Sequence, residues 1–219
     1  MDIASLVGPT LPAGHPEVRA VMATTIAGSF TRGGTSRPLG NATDTALLLG
    51  LREWSDCILV GAGTVRAEGY GFSPTPMAVL SSSLDLDTSG ALFTGTVVVL
   101  CPERALHDAT LAPRRRALAT AGARLVSTGS GSAGEILGTL HRLGYARVTC
   151  EGGPGVYAAL LSADLVDVLH VTVDPSLGAA DGSAGLALRG PSEPLRFTLE
   201  SAEVDHGSML FCRYRRARR

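Results

Sequence analysis

Two glycine-rich turns, each entered from an apolar run, carry the chemistry this chain advertises most openly: the grip of bare backbone amides on an anion. Arg147, Val148, Thr149 and Cys150 read as a short strand that passes through Glu151, Gly152, Gly153, Pro154 and Gly155 straight into a helical pattern. Glycines at 152 and 153 put no Cβ between backbone and ligand, and Pro154 suits the first turn of a helix, where its missing N–H costs nothing. The open amides of such a turn, with roughly half a unit of positive charge from the helix dipole, favour a phosphate or diphosphate. Upstream, residues 57–60 enter Gly61, Ala62, Gly63, Thr64, Val65, Arg66, Ala67 and Glu68 in the same way. Two such turns can hold two ends of one extended ligand. A dinucleotide is the economical candidate, although the spacing differs from the six-residue glycine fingerprint of doubly wound folds. A tight strand-to-helix connection with no ligand is the competing reading of a bare Gly-Gly pair.

The rest of the inventory narrows the reaction. All 19 basic residues are arginine, so no amine is on hand for a Schiff base or as a tunable ammonium acid. Against 20 acidic residues they leave a net charge of −1, which provides no global field for nucleic acid or an anionic membrane. His15, His107, His141, His170 and His206 show neither metal-ligand spacing nor a serine partner, so no metal site is expected. Asp164 and Asp167 read as residues that turn the chain. Cys57, Cys101, Cys150 and Cys212 lie far apart, three of them in apolar runs, and read as buried thiols of a reducing compartment. Residues 1–16 have no basic start or apolar segment, and no apolar run approaches a membrane span. The expectation is a cytoplasmic protein with no membrane partner.

The elements that must position these turns can be read from periodicity. Strands are expected at 19–25, 57–60, 77–80, 96–100, 123–126, 147–150 and 165–173, with helices at 44–54, 113–121, 134–143 and 154–161. Thr43 or Asp44 is the candidate cap of the helix whose apolar face is Leu47, Leu48, Leu51 and Trp54. Strand alternating with helix argues for an α/β sandwich on a largely parallel sheet. Residues 196–203 and 209–214 alternate around Asp205, His206 and Gly207, a hairpin signal. The loops at 28–41, 129–134 and 178–190 are rich in glycine, the last two expected to be flexible. At 219 residues and 45% apolar, one domain spanning 1–219 is expected, with an arm at 1–17 and an arginine-rich tail at 215–219 that frays.

In order and spacing, five pieces resemble one family: Ala23 to Gly28, Leu51 to Asp56, Val60 to Glu68, Glu151 to Pro154 and Leu165 to Asp167. From about residue 19 to 214 the chain resembles the reductase domain of the riboflavin-biosynthesis deaminase/reductase family, in its stand-alone bacterial form. The resemblance implies a dihydrofolate-reductase-like three-layer sandwich with a mixed, mostly parallel sheet and an antiparallel C-terminal hairpin. It implies a homodimer. It further implies NADPH-dependent reduction of the ribosyl group of 5-amino-6-(5-phosphoribosylamino)uracil, a phosphorylated pyrimidine. A reductase of another heterocycle such as a pterin, or a non-catalytic NADP(H)-binding paralogue, stays open. The zinc pattern of the deaminase half is not in the sequence, so only the reductive step can reside here.

Carried over by position, the cofactor would lie against Ala23, Pro38, Thr64 and Glu68, over Gly61 and Gly63. Gly152, Gly153, Pro154, Gly155, Val156 and Tyr157 would surround its phosphates. Ser81 with Ser82 would donate hydroxyl bonds to the extra 2′-phosphate, at roughly 1.5–3 kcal/mol each. Ser36, Arg52 and Glu151 would contact substrate, Arg52 as a phosphate fork. Three positions depart from the family: Val21 stands for a lysine, Ala27 for an aspartate and Thr75 for an arginine. The proton that must accompany a hydride is then left to Glu151, Asp44 or a water.

Overall fold

Runs of β-branched and apolar residues make the strands, and their pairing makes the frame on which the turns sit. In the computed structural model, which describes residues 1–12, 14–177 and 194–218, the chain opens with α1 (Ile3–Val7), β1 (Glu17–Thr25) and α2 (Ala42–Trp54). It continues through β2 (Cys57–Gly61), α3 (Ala62–Glu68), β3 (Met77–Leu80), β4 (Val97–Cys101), α4 (Glu103–His107) and α5 (Ala112–Thr120). Then come β5 (Arg124–Ser127), α6 (Ala133–Arg142), β6 (Arg147–Gly152), α7 (Pro154–Ser162), β7 (Val168–Asp174), β8 (Phe197–Val204) and β9 (Leu210–Arg216).

The nine strands form one sheet in the order β5-β4-β3-β2-β6-β1-β7-β9-β8. Pairing is parallel from β5 through β7, and β9 runs antiparallel to both β7 and β8. The hairpin turns where the Asp205 carboxylate accepts the Gly207 and Met209 amides at 2.8 and 3.0 Å. Alternation along β2 builds two layers at once. Cys57 and Leu59 face a core that α6 and α7 close with Leu140 and Leu160, while Ile58 and Val60 face the one containing Val65 and Leu118. Each such aliphatic side chain contributes roughly 1.5–3 kcal/mol on burial. A third cluster joins α1 and α2 to Val21 and Phe211. The sandwich expected from the alternating pattern is the one found.

Several local expectations need correction. The cap of α2 is Asn41, which accepts from the Thr43 and Asp44 amides at 2.9 and 3.0 Å, so the Asp44 carboxylate is spared that role. The strand expected from 165 starts at Val168, because Asp164 takes a left-handed φ of 55° and Asp167 turns its carboxylate onto the Val18 amide. The loop at 129–134 is tied down. Glu135 accepts from the Ser130 and Ser132 amides and from both hydroxyls, closing a capping box that holds its carboxyl at about 2. The other glycine-rich loop, 178–190, lies outside the described residues.

Both chain ends are gripped by arginine. Arg19 is fully buried with its guanidinium carbon 3.9 Å from the Trp54 ring centre, and it donates to the Val7 and Pro9 carbonyls at 2.5 and 2.6 Å. Arg213 donates to the Ser5 and Leu6 carbonyls at 2.7 and 3.0 Å. The expected arm therefore holds a helix docked through its C-terminal carbonyls. Nor does the described part of the tail fray: Arg215 and Arg216 belong to β9, and Arg216 and Arg218 pair with Asp164 and Asp167.

Candidate active site

The parallel strands β1, β2, β3, β4 and β6 all deliver their carboxyl ends to one edge of the sheet, the position where open α/β sheets take ligands. Three cavities lie there side by side. A broad one of about 570 Å³ has Val21, Ala23, Ser36, Asp44, Arg52, Glu68, Tyr70, Glu151 and Tyr157 in its wall. A middle one of about 530 Å³ runs over Gly61, Gly63, Arg66, Ser81, Ser82, Gly155 and Val156. The broad and middle cavities share Thr64, Glu68, Gly153 and Pro154. The third, of about 280 Å³, shares Leu80, Ser81, Ser82, Gly155 and Val156 with the middle one and ends among Leu100, Ile136 and Leu160. Together they make a trough crossing both glycine-rich turns.

Most residues singled out from sequence meet in this trough, and two do not. Pro38 is exposed on a short 3-10 turn and lines none of the three cavities. Gly152 also stays out of their walls: its φ is 90°, and an added Cβ would sit 2.5 Å from Cζ of Tyr157. That glycine seats the tyrosine ring, whose hydroxyl donates to the Val21 carbonyl. Gly153 is needed for another reason. Its amide donates to the Thr64 hydroxyl at 2.9 Å, and a Cβ would come 2.5 Å from the same oxygen. The Val156 and Tyr157 amides both turn back to the Gly153 carbonyl. Pro154 has no N–H, so Gly155 is the amide of this turn with no partner among the described residues. Of the amides expected to form the cradle, Gly153 and the two after Gly155 are engaged, and Gly155 is the one left open among the described residues.

The acids divide into one that is locked and one that is open. Glu151 accepts Nε and Nη2 of Arg52 at 2.6 and 2.7 Å and the Tyr70 hydroxyl at 2.7 Å. Burial is the largest influence on both partners. It works against the Arg52 cation but is outweighed by the bonds to Glu151, so Arg52 holds its proton more tightly than usual, and it pushes the Tyr70 phenol up. The fork that sequence reasoning assigned to a substrate phosphate is thus spent inside the protein. Thr75, at the position of the family's arginine, donates to the Arg52 carbonyl at 2.9 Å. Asp44 is different: burial raises its carboxyl above the usual range, opposed in part by the facing Thr172 hydroxyl. Ala27 lies on an exposed turn outside the cavity walls.

Sequence reasoning missed Tyr70 and Arg66 as members of this wall. Only Arg66 carried a local signal, its place in the second glycine-rich turn. Among the described residues no three His, Cys, Asp or Glu side chains gather to hold a metal ion, and no helix is long and apolar enough to cross a membrane.

Comparison with known proteins bears on this geometry. A pyrimidine reductase-like protein from Corynebacterium diphtheriae is 29% identical, with a TM-score of 0.82 over 93% of each chain. RibD from Acinetobacter baumannii is 20% identical with a TM-score of 0.75, over 94% of this chain and 59% of that one. Dihydrofolate reductase from Enterococcus faecalis, complexed with NADP(H), shares the fold at 18% identity and a TM-score of 0.54, over 92% of this chain and 97% of that one. No curated protein matches. Because the RibD C-terminal domain matches residues 16–211, from the residue before β1 into β9, the chain belongs to that family of riboflavin-biosynthesis reductases.

Proposed function

We propose that the chain is an NADPH-dependent reductase whose cofactor lies along the trough and whose heterocyclic substrate enters the broad cavity. The observation that carries this is the continuity of the three cavities across both glycine-rich turns. The residues present fit such a cofactor. A Cβ at Gly63 or Gly155 would meet nothing within 4 Å, so the backbone is open to close approach there, beside the unpartnered Gly155 amide. The apolar slot between Leu100, Ile136 and Leu160 suits a flat ring. Ser81 and Ser82, in the wall between slot and turn, supply hydroxyl donors for a 2′-phosphate, and Arg66 stands beside them with its Nη1 on the Asp85 carbonyl at 2.6 Å. A cytoplasmic homodimer belongs to the same proposal and rests on family likeness.

Bound there, NADPH supplies a hydride. The chain must place the substrate ring, exclude water and deliver a proton to the nitrogen or oxygen beside the reduced carbon. Tyr157, Ala23 and Val21 wall the cavity floor, with the tyrosine ring fixed by its hydroxyl. Both oxygens of Glu151 are already taken by donors from Arg52 and Tyr70. Asp44, whose carboxyl burial raises, lies open in the same wall and is the candidate donor. Titration of the purified chain with NADPH and NADH, followed by fluorescence and calorimetry, tests the reading. Saturable NADPH binding, at least tenfold tighter than NADH, is expected. Absence of saturable NADPH binding to folded protein refutes it.

A further inference from the structure

This inference rests on the reductase reading of the trough and concerns the side chain that holds an anionic group of the substrate. Among the described residues, the charged side chains in the broad cavity's wall are Arg37, Asp44, Arg52, Glu68 and Glu151. Two of them are guanidiniums, and they are held in different ways. Arg52 gives Nε and Nη2 to Glu151 at 2.6 and 2.7 Å, with its guanidinium carbon 5.6 Å from the Tyr70 ring centre, so one of its two-nitrogen edges is closed to any ligand. The chain has no lysine, and Val21 and Thr75 bring no charge to the region. Arg37 is the cation that remains.

Its backbone is fixed and its head is not. The Glu68 carboxylate accepts the Ser36 amide at 2.7 Å, which ties the 3-10 turn Arg37–Leu39 to the end of α3, and Pro38 sets φ inside that turn. Nη2 of Arg37 donates to the Glu68 carbonyl, and Nε stands 4.0 Å from the second Glu68 oxygen. That pair is at the outer limit of an ion pair with the arginine 72% exposed, so it cancels little of the charge. Nη1 has no partner among the described residues. With the second proton of Nη2 it offers the planar pair of N–H donors that fits two oxygens of a phosphate. Arg37 lines the broad cavity and neither of the other two, so this pair belongs to the substrate end of the trough and not to the coenzyme's phosphates. A phosphate monoester, at about −1.5 to −2 charges near neutral pH, can reach it at the mouth while keeping part of its hydration. We infer that Arg37 anchors a phosphate monoester carried by the substrate, the part that Arg52 is kept from by Glu151.

Calorimetry with uridine 5′-monophosphate and uridine as probes, on the full chain saturated with NADPH so that the coenzyme's own phosphate sites are filled, tests this. The nucleotide should bind at least fivefold tighter than the nucleoside. Arg37→Gln should erase that preference, Arg37→Lys should keep part of it, and an ionic strength of about 1 M, where the screening length is about 3 Å, should shrink it. Uridine affinity should stay the same in both variants, which a collapsed cavity would not allow. Equal binding of the two probes by wild type overturns the inference, as does a preference that survives Arg37→Gln. NADPH titrated alone separates the failures: absence of saturable NADPH binding sinks the reductase reading, and intact NADPH binding without an Arg37-dependent preference sinks this inference alone.

Discussion

Replacing Gly152 with alanine distinguishes a glycine that serves the fold from one that serves a ligand. At φ 90° the backbone of Gly152 is in a region that costs an L-residue about 1–2 kcal/mol. The new Cβ would also stand 2.5 Å from Cζ and 2.7 Å from the hydroxyl oxygen of Tyr157. That ring cannot back away cheaply. It is 7% exposed, packed in the cluster with Leu160 and Cys150, and held at its far end by the Val21 carbonyl. Overpacking of this kind adds about 1–3 kcal/mol. Gly152→Ala should therefore lose about 2–5 kcal/mol, or roughly 4–20 °C in Tm at about 2–4 °C per kcal/mol for a chain of this size. Urea melts followed by far-UV circular dichroism measure the loss. Tyr157→Ala in the same background should cost less than the two single changes added together, since the clash has then gone. An unchanged urea midpoint combined with weakened NADPH binding would refute the reasoning and return Gly152 to the phosphate cradle.

Other consequences can be checked on the same protein. Gly153→Val should weaken NADPH binding at least tenfold and cost about 1–2 kcal/mol of stability, because the side chain drives the Thr64 hydroxyl off the Gly153 amide; unchanged NADPH affinity would show that this turn does not face the cofactor. Ala27→Asp should leave turnover as it is, since residue 27 is on an exposed turn away from the cavity; a rise in kcat would mean that the turn folds inward with substrate. His170 is buried beside Arg19, Arg213 and Arg215, and burial first, then those cations, pull its pKa down to about 3. Below an unfolded value near ~6.5 the unfolded chain takes up a proton that the native imidazole refuses, so stability falls as pH drops from ~6.5 towards 3, by roughly 1.4 kcal/mol per unit. Urea midpoints between pH 7.5 and 4.5 should show this slope, and His170→Asn should flatten it; an equal slope in that variant would place the loss in other groups.

The frame was legible because it is local. Runs such as Val97, Val98, Val99 and Leu100 announce strands by their own composition, and Leu47, Leu51 and Trp54 repeat at helical spacing. What the chain could not disclose is which partner a polar side chain selects across the sheet. Arg52 and Glu151 are 99 residues apart and Tyr70 is 81 from Glu151, so their triad appears only once β6 lies beside β2. A phosphate fork and an internal fork look identical in one dimension. Gly152 misled for a similar reason, since its requirement comes from a ring one helical turn further on, at Tyr157. The docked helix at residues 3–7 is too short to show a period, and it is read only from the two buried arginines that receive its carbonyls.

The two ends of the trough are built from different materials, and this decides which of them can change without loss of the other. Along the middle the wall is backbone and small side chains, Gly61, Gly63, Gly155 and the serines after β3, so its fit to a diphosphate depends on how the strands end. At the broad end the wall is a set of charged side chains whose effect is their sum. Val21 carries no charge into that wall and Thr75 spends its hydroxyl on the Arg52 carbonyl, while the hydrogen bond joining the two glycine-rich turns involves neither side chain. Arg52 grips Glu151 with two nitrogens and Tyr70 adds its hydroxyl. Asp44 lies in the same wall with no cation at ion-pair distance among the described residues. The broad end can therefore change its charge without disturbing the backbone of the glycine-rich turns.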